Sequence, residues 1–331
     1  MQKISSLIKE KALELIANGT VDRVVGWQSG DFFYDNTPAV FVGEEGAKQL
    51  VYNGFCGANM SKYLVLETQK KDAGKVLALL KPCDTLSFNQ LVMEHRVDPE
   101  KVYALGVECK GMLDIEKIKA KGIKGITSVK EEGDEVLVET IYGNTTVKRD
   151  EVLLSKCVFC KGKKHVGCDE VLVSGEEIPE WSNDRFEEVA KLEAMTPDER
   201  FNFWREQLSK CIRCNACRNI CPACTCINCV FDNPNSGVAS KANTDTFEEN
   251  MFHIIRAFHV AGRCTDCGEC SRVCPQGIPL HLLNRKFIKD IDELYGEYQA
   301  GSDRDAKGPL TEYTKGDCEP SIIYTRGGEK Q

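Results

Sequence analysis

Two cysteine runs in the second half of the chain share one spacing and constrain its fold more than any other feature. They are Cys211-x-x-Cys214-x-x-Cys217-x-x-x-Cys221-Pro222 and Cys264-x-x-Cys267-x-x-Cys270-x-x-x-Cys274-Pro275. Three closely spaced thiolates can reach three irons of a 4Fe-4S cluster, and a more distant cysteine supplies the fourth ligand. Zinc sites built from two C-x-x-C pairs would not explain a third cysteine and a following proline in both runs. The spacing therefore predicts two 4Fe-4S clusters and a role in electron transfer.

The fourth cysteine of each run is predicted to bind the cluster of the other run, as it does in two-cluster ferredoxins. The first predicted ligand group is Cys211, Cys214, Cys217 and Cys274. The second predicted ligand group is Cys264, Cys267, Cys270 and Cys221. If the ligands cross in this way, the two runs must fold together as one domain.

Composition limits the remaining function classes. The chain has 331 residues, 18 cysteines and a net charge of −8, and this negative charge argues against nucleic-acid binding, which needs basic surfaces. No apolar stretch approaches the length of about 18 residues that a membrane span requires. The first residues lack the unbroken apolar region of a secretory signal, so we expect reduced thiols and a cytoplasmic location.

Residues 1–182 are predicted to form an α/β domain. Apolar residues at helical spacing predict a first helix that ends near Asn18-Gly19. Apolar runs at 75–80 and 102–107 flank a helix for which Asp84 is a suitable N-cap, and this order predicts parallel strands joined by a crossover helix. Cys83 and Cys109 follow those strands, so we expect both at the edge of the sheet where ligand sites collect.

A third cluster could be held by Cys83, Cys109, Cys157 and Cys160, which combine the two strand-end cysteines with a later C-x-x-C pair. The alternative is that Cys83 and Cys109 are buried thiols that act as small apolar side chains. Cys224, Cys226 and Cys229 leave three possibilities open: a further cluster with Cys168 or Cys56 as the fourth ligand, a zinc site, or packing around the first cluster.

The rest of the chain is predicted from its periodicity and composition. Residues 135–144 read as a strand that enters a hairpin at Gly143-Asn144. Residues 183–290 read as a mostly α-helical domain that carries both cysteine runs, with helices before the first run and between the two. Residues 291–331 read as an extended tail in which Cys318 is an ordinary thiol.

Several of these motifs together resemble a known family. These motifs are Lys81-Pro82-Cys83-Asp84, Gly106-Val107-Glu108-Cys109-Lys110-Gly111, the pair Cys157 and Cys160, and the run from Cys211 to Cys229. They resemble the beta subunits of deazaflavin-coenzyme-reducing hydrogenases and formate dehydrogenases. The segment from Cys221 to Cys226 is also similar to one in sulfhydrogenase beta and anaerobic sulfite reductase A subunits. The second run resembles the helical ferredoxin domains of heterodisulfide-reductase-type proteins.

The resemblance implies a cluster-relay subunit of an anaerobic redox complex with catalytic and flavin subunits, active as an oxidoreductase only within the complex. It also implies FAD beside the α/β domain, although no G-x-G-x-x-G follows a strand. Lys81 and Asp84 are the candidate cofactor contacts. The alternative is that Asp84 only caps a helix and Lys81 only faces water.

Three functions remain open at this stage. The first is an electron-relay subunit, and four arginines within the runs could tune the clusters or form surface ion pairs: Arg213, Arg218, Arg263 and Arg272. The second is a flavin-bearing subunit that exchanges hydride with a deazaflavin or nicotinamide and feeds the clusters. The third is a scaffold in which the metal sites are purely structural.

Overall fold

The structure, a computed structural model, describes residues 2–71, 74–161, 164–175, 184–236 and 246–309. It divides into two compact units, Met1–Asn183 and Asp184–Gln331. In the predicted extended tail, residues 291–295 belong to the helix Leu280–Tyr295, and residues 310–331, with Cys318, lie outside the described residues. No helix in the described ranges is long and apolar enough to cross a bilayer.

The first unit alternates helices and strands. Its helices are α1 (Gln2–Ala17), α2 (Gly43–Ala47), α3 (Leu64–Thr68), α4 (Pro82–Met93), α5 (Ile115–Ala120) and α6 (Ser155–Val158). Its strands are β1 (Arg23–Ser29), β2 (Asn36–Val42), β3 (Leu50–Val51), β4 (Val76–Leu80), β5 (Val102–Val107), β6 (Ile126–Glu132), β7 (Glu135–Thr140), β8 (Gly143–Lys148) and β9 (Glu170–Leu172). Short 3-10 turns cover Ser61–Tyr63, Pro99–Lys101 and Asp150–Val152.

Among the described residues, the larger sheet has six strands in the order β2-β1-β4-β5-β9, with β3 also paired to β1. The pairs β1–β4, β4–β5 and β5–β9 are parallel, whereas β2 and β3 run antiparallel to β1. Every residue of β4 is buried, as expected for a central parallel strand covered on both faces. The predicted α/β domain with parallel strands and a crossover helix is therefore confirmed.

The start of α4 differs from the prediction. Lys81 is the N-cap of α4, and Pro82 is its first helical residue. Asp84 is therefore the third residue of the helix and not its N-cap. Proline favours the first helical turn because it has no N–H to leave unpaired there. The Asp84 carboxylate accepts the backbone N–H of Lys81 at 3.2 Å, which is the half of a capping box that an acidic side chain at the third helical position supplies.

A separate antiparallel sheet in the described residues has the order β6-β7-β8. The hairpin predicted from residues 135–144 is present as β7 and β8, but its turn lies at Ile141 and Tyr142, and Gly143 already belongs to β8. Gly143 has φ 126°, a conformation that glycine adopts without a steric penalty. The glycine therefore marks the end of the turn rather than its centre.

The described part of the second unit is helical. Its helices are α7 (Glu187–Glu193), α8 (Pro197–Leu208), α9 (Ala216–Ile220), α10 (Thr246–His259), α11 (Glu269–Arg272) and α12 (Leu280–Tyr295), with a 3-10 turn at Pro234–Ser236. The helical stretch predicted before the first cysteine run is two helices, because Thr196 caps α8 and Pro197 opens it. The main core cluster of this unit includes Phe252, Ile278 and Leu280 together with Cys217 and Cys270.

Candidate metal centres

The first predicted ligand group lines one cavity. Cys211, Cys214, Cys217 and Cys274 all border it, together with the aromatic ring of Phe252. Burial raises the pKa of Cys217, the charge of Arg256 opposes this rise, and Cys270, Cys211 and Cys274 add to it. The resulting pKa is about 12. Cys274 comes from the second run, so the fold brings it to the first. The assignment of these four thiols as ligands remains a prediction.

The second predicted ligand group is linked by electrostatics rather than by one cavity. Burial raises the pKa values of Cys264, Cys267 and Cys270, and Cys221 raises each of them further. Cys221 also packs with Cys264 in a small apolar cluster that contains Val260. The fourth cysteine of the first run therefore lies beside the three closely spaced cysteines of the second. Its role as a ligand also remains a prediction.

Both cysteine loops have left-handed backbone at equivalent positions. In the first loop the residues are Arg213 (φ 52°) and Asn215 (φ 61°), and in the second they are Asp266 (φ 56°) and Gly268 (φ 67°). Residues other than glycine rarely adopt positive φ, so the repetition indicates that each loop needs this curvature. The curvature turns N–H groups towards sulfur, as the Arg213 N–H shows by donating to Cys211 Sγ at 3.4 Å.

Residues of α12 hold the second loop from outside. The buried Arg285 donates from Nε to both carboxylate oxygens of Asp266, at 2.8 and 3.0 Å. Asn284 approaches the Cys270 sulfur at 3.7 Å through its amide nitrogen. The charge-assisted hydrogen bonds between Arg285 and Asp266 fix the geometry of the loop. The loop that presents the second group is therefore anchored to a long helix.

The sequence did not single out Arg256, which lies on α10 among the thiols. Its side chain is buried, and none of its three guanidinium nitrogens has a nitrogen or oxygen partner in the part of the chain that the structure describes. Burial opposes its charge, but Cys270, Cys221, Cys217 and Cys224 raise the pKa of the guanidinium above its ordinary value. An uncompensated buried cation is costly. Negative charge on the surrounding thiols would satisfy it, so the site fits thiolate-bound clusters.

The four arginines of the cysteine runs were predicted either to tune the clusters or to form ion pairs. Arg218 pairs with Asp232, and Arg272 donates to Glu269 at 2.8 Å, so both form ion pairs as the plainer reading expects. Arg213 is buried and stacks on Phe252, with 4.4 Å between the guanidinium carbon and the ring centroid. Arg263 donates to the His259 carbonyl at 3.2 Å. Of these four arginines, Arg213 is the one that lines the cavity of the first group.

The third predicted ligand group gathers at the carboxyl edge of the parallel sheet. Leu80 and Gly106 are register partners, and Cys83 and Cys109 each follow three residues later. Burial raises the pKa of Cys109 to about 12, with Cys157 and Cys160 contributing in the same direction. Burial also raises the pKa of Cys83, and Cys160 is again among the neighbours that raise it. Cys83 and Cys109 thus follow neighbouring parallel strands at the same edge of the sheet, and their role as cluster ligands remains a prediction.

Lys81 and Asp84 lie beside this edge as a buried ion pair. The two side chains are 1% and 0% exposed, with Lys81 Nζ 3.0 Å from Asp84 Oδ2. Lys81 Nζ also donates to the Ala58 carbonyl at 2.7 Å and lies 4.1 Å from the centroid of the Trp27 ring. The reading in which Lys81 faces water is wrong. Contact of either residue with a cofactor remains a prediction.

The remaining cysteines divide between the two units. Cys168 and Cys56 belong to the first unit, and Cys224, Cys226 and Cys229 belong to the second. Cys56 is fully buried and accepts the Asn53 N–H at 3.3 Å, and burial raises its pKa to about 12. Cys226 is exposed, whereas Cys224 and Cys229 pack against apolar clusters. A cluster, a zinc site and a packing role all remain predictions for these cysteines.

No three Cys, His, Asp or Glu side chains of the described residues are arranged to hold a single metal ion.

Comparisons with known proteins agree with this donor set. A family model described as a 4Fe-4S dicluster domain matches residues 207–278, which include both cysteine runs. The chain is 23% identical to the F420-dependent formate dehydrogenase subunit beta of Methanocaldococcus jannaschii, over 85% of this chain and 88% of that protein. It is also 23% identical to the F420-dependent formate dehydrogenase 1 subunit beta of Methanococcus maripaludis, over 89% and 90%.

One solved structure is a weaker match. It belongs to the F420-reducing NiFe hydrogenase complex from Methanosarcina barkeri, with a TM-score of 0.37, 15% identity, and coverage of 46% of this chain and 57% of that one. The sequence relatives, at 23% identity over most of the chain, confirm the resemblance to beta subunits of F420-dependent formate dehydrogenases. The similarity to heterodisulfide-reductase-type domains remains a prediction.

Proposed function

We propose that this chain, a relative of formate dehydrogenase beta subunits, is the iron–sulfur electron-transfer subunit of a formate dehydrogenase or hydrogenase type complex. The observation that carries the proposal is the crossing of cysteines between the two runs. Cys274 joins the cavity of the first run, and Cys221 lies beside the thiols of the second. This placement supports the ligand exchange expected of a two-cluster relay.

The residues of the second unit supply the surroundings that such a relay needs. When bound, 4Fe-4S clusters would take up and release single electrons. Phe252, Ile278 and Leu280 exclude water on the inner side of the first group. Backbone N–H groups and the Asn284 amide donate towards sulfur, and such hydrogen bonds set the potential of a cluster. Cys217 of the first group and Cys270 of the second lie in the same core cluster, which supports electron exchange between the two groups within this unit.

The first unit would add a third electron-carrying site. The proposal rests on Cys83, Cys109, Cys157 and Cys160, whose charges influence one another at one sheet edge. The Met112 N–H donates to Cys157 Sγ at 3.3 Å, so this site also offers a backbone donor to sulfur. Lys156, which reduces the pKa rise of Cys83, would offset part of the negative charge of a cluster there.

The chain would work in a hetero-oligomer, since the relatives are named as subunits. Exposed aromatic side chains on the second unit support this inference, because Phe201, Phe247 and Phe258 are each more than half exposed. Thiols must stay reduced to bind iron, which supports a reducing compartment such as the cytoplasm. The catalytic and flavin subunits predicted from the resemblance would supply and accept the electrons.

The test is cofactor analysis of the full chain, purified and reconstituted without oxygen. We expect at least about eight irons and eight sulfides per chain for two clusters, and about twelve of each for three. Reductive titration should then take up about one electron per cluster. Zinc without iron would contradict the proposal and favour a structural scaffold. Stoichiometric flavin would instead favour the subunit that exchanges hydride with a deazaflavin or nicotinamide.

A further inference from the structure

We propose that Arg256 is a fixed positive charge shared by the two cysteine groups of the second unit, and that it raises the reduction potentials of both clusters together. The proposal rests on the proposed function, because it assumes that both clusters are present. It assigns a role to a side chain on α10, outside both cysteine runs.

The burial of Arg256 is the first observation. The side chain is 3% exposed, and its Nε, Nη1 and Nη2 atoms are all buried without a nitrogen or oxygen partner among the described residues. Most buried arginines are paired with a carboxylate or with carbonyl oxygens, because the cost of removing the charge from water is several kcal/mol. A side chain held in this way needs a different source of negative charge.

The surrounding thiols identify that source. Burial lowers the pKa of Arg256, but the charges of nearby thiols raise it above its ordinary value. These thiols are Cys270, Cys221, Cys217 and Cys224. Cys217 belongs to the first predicted group, whereas Cys270 and Cys221 belong to the second. The guanidinium also opposes the pKa rise that burial causes in both Cys217 and Cys270. The packing around α10 agrees with this. Phe252, one turn before Arg256, lies in one core cluster with Cys217 and Cys270, and Val260, one turn after it, packs with Cys221 and Cys264. Arg256 therefore lies between residues that pack against both groups.

Arg213 provides a contrast within the same unit. It is also buried, and its Nε and Nη1 atoms have no partner among the described residues. Its charge acts on Cys211, where it opposes the pKa rise caused by burial. It stacks on the Phe252 ring within the lining of the first cavity. Arg213 is thus associated with the first group, whereas Arg256 is associated with both.

The effect on potential follows from the charge. Reduction adds one electron to a cluster that already carries the negative charge of four thiolates. A nearby fixed cation favours the more negative state, and this attraction is stronger in a buried site than in water. Loss of the Arg256 charge should therefore lower the reduction potentials of both clusters. Loss of the Arg213 charge should lower only the potential of the first cluster.

The experiment measures the midpoint potentials of both clusters in the full chain by redox titration followed with electron paramagnetic resonance. Arg256→Gln should make reduction of each cluster at least about tenfold less favourable, a shift of about 59 mV. Arg256→Lys keeps the charge and should restore most of both potentials. Arg213→Gln should shift only the first cluster, and Arg205→Gln, at an exposed position of α8, should shift neither.

Unchanged potentials in Arg256→Gln would overturn the proposal, and so would a shift confined to one cluster. If Arg256→Gln cannot hold its clusters, Arg256→Lys decides the question. Clusters with nearly wild-type potentials in the lysine variant support a role for charge, whereas loss of the clusters in both variants shows that the shape of arginine matters instead. Failure of the proposed function is distinguishable, because the wild-type chain would then contain no clusters to titrate.

Discussion

Single side chains in this protein hold buried charge next to the candidate metal centres. Lys81 and Asp84 pair with each other and with backbone groups in the first unit. Arg285 holds Asp266, and Asp266 is one of the left-handed residues of the second cysteine loop. Each of these charges is buried and has an oppositely charged partner. At this scale the structure positions its cysteines through ion pairs as well as through apolar packing.

The Lys81–Asp84 pair gives a prediction on stability. Lys81→Met should lower the free energy of unfolding by about 3–5 kcal/mol, because it leaves the Asp84 carboxylate buried without its cation. Chemical denaturation of the full chain measures this loss. The double variant Lys81→Met, Asp84→Leu should recover much of it, since it removes both charges. A single variant as stable as the wild type would show that the ion pair contributes little.

Secondary-structure elements determine where the cysteines meet. Parallel pairing of β4 with β5 sets Leu80 opposite Gly106, and this register brings the two following cysteines to one edge. Strands β4 and β5, with the crossover α4, could be predicted from apolar runs and a helix signal. The sheet β6-β7-β8 was only partly predictable, because the alternation in β6 is weak and its residues are mostly exposed or half-buried.

The element scale predicts the effect of removing a strand-end cysteine. Cys109→Ala should lower the iron content of reconstituted chain by about four irons, because one ligand of the third cluster is lost. Cys318→Ala is the control, since Cys318 is the cysteine that the sequence predicts to be an ordinary thiol. Iron analysis and the visible spectrum report both. Equal iron in Cys109→Ala and wild type would favour a packing role for the thiol.

The whole chain combines an α/β unit with a helical unit. Its sequence predicted the cysteine ligand groups but not the buried charges beside them. The doubled cysteine spacing predicted both ligand groups, because cluster ligands impose a strict local pattern. Arg256 could not be found in this way, since a buried arginine on an amphipathic helix has no distinctive spacing. The turn at Ile141 and Tyr142 was misplaced because a glycine and asparagine pair follows it. Local patterns thus predicted the elements, and only packing revealed which charges face the thiols.

The central claim is that the two cysteine runs exchange one ligand each, so that the second unit holds its clusters as a connected pair. The most direct measurement is electron paramagnetic resonance of the reduced full chain in two matched variants, Cys221→Ala and Cys274→Ala. We predict that Cys221→Ala alters the signal of the cluster held by Cys264, Cys267 and Cys270, and that Cys274→Ala alters the signal of the other cluster. The opposite assignment, with each variant altering the cluster of its own run, would contradict the account.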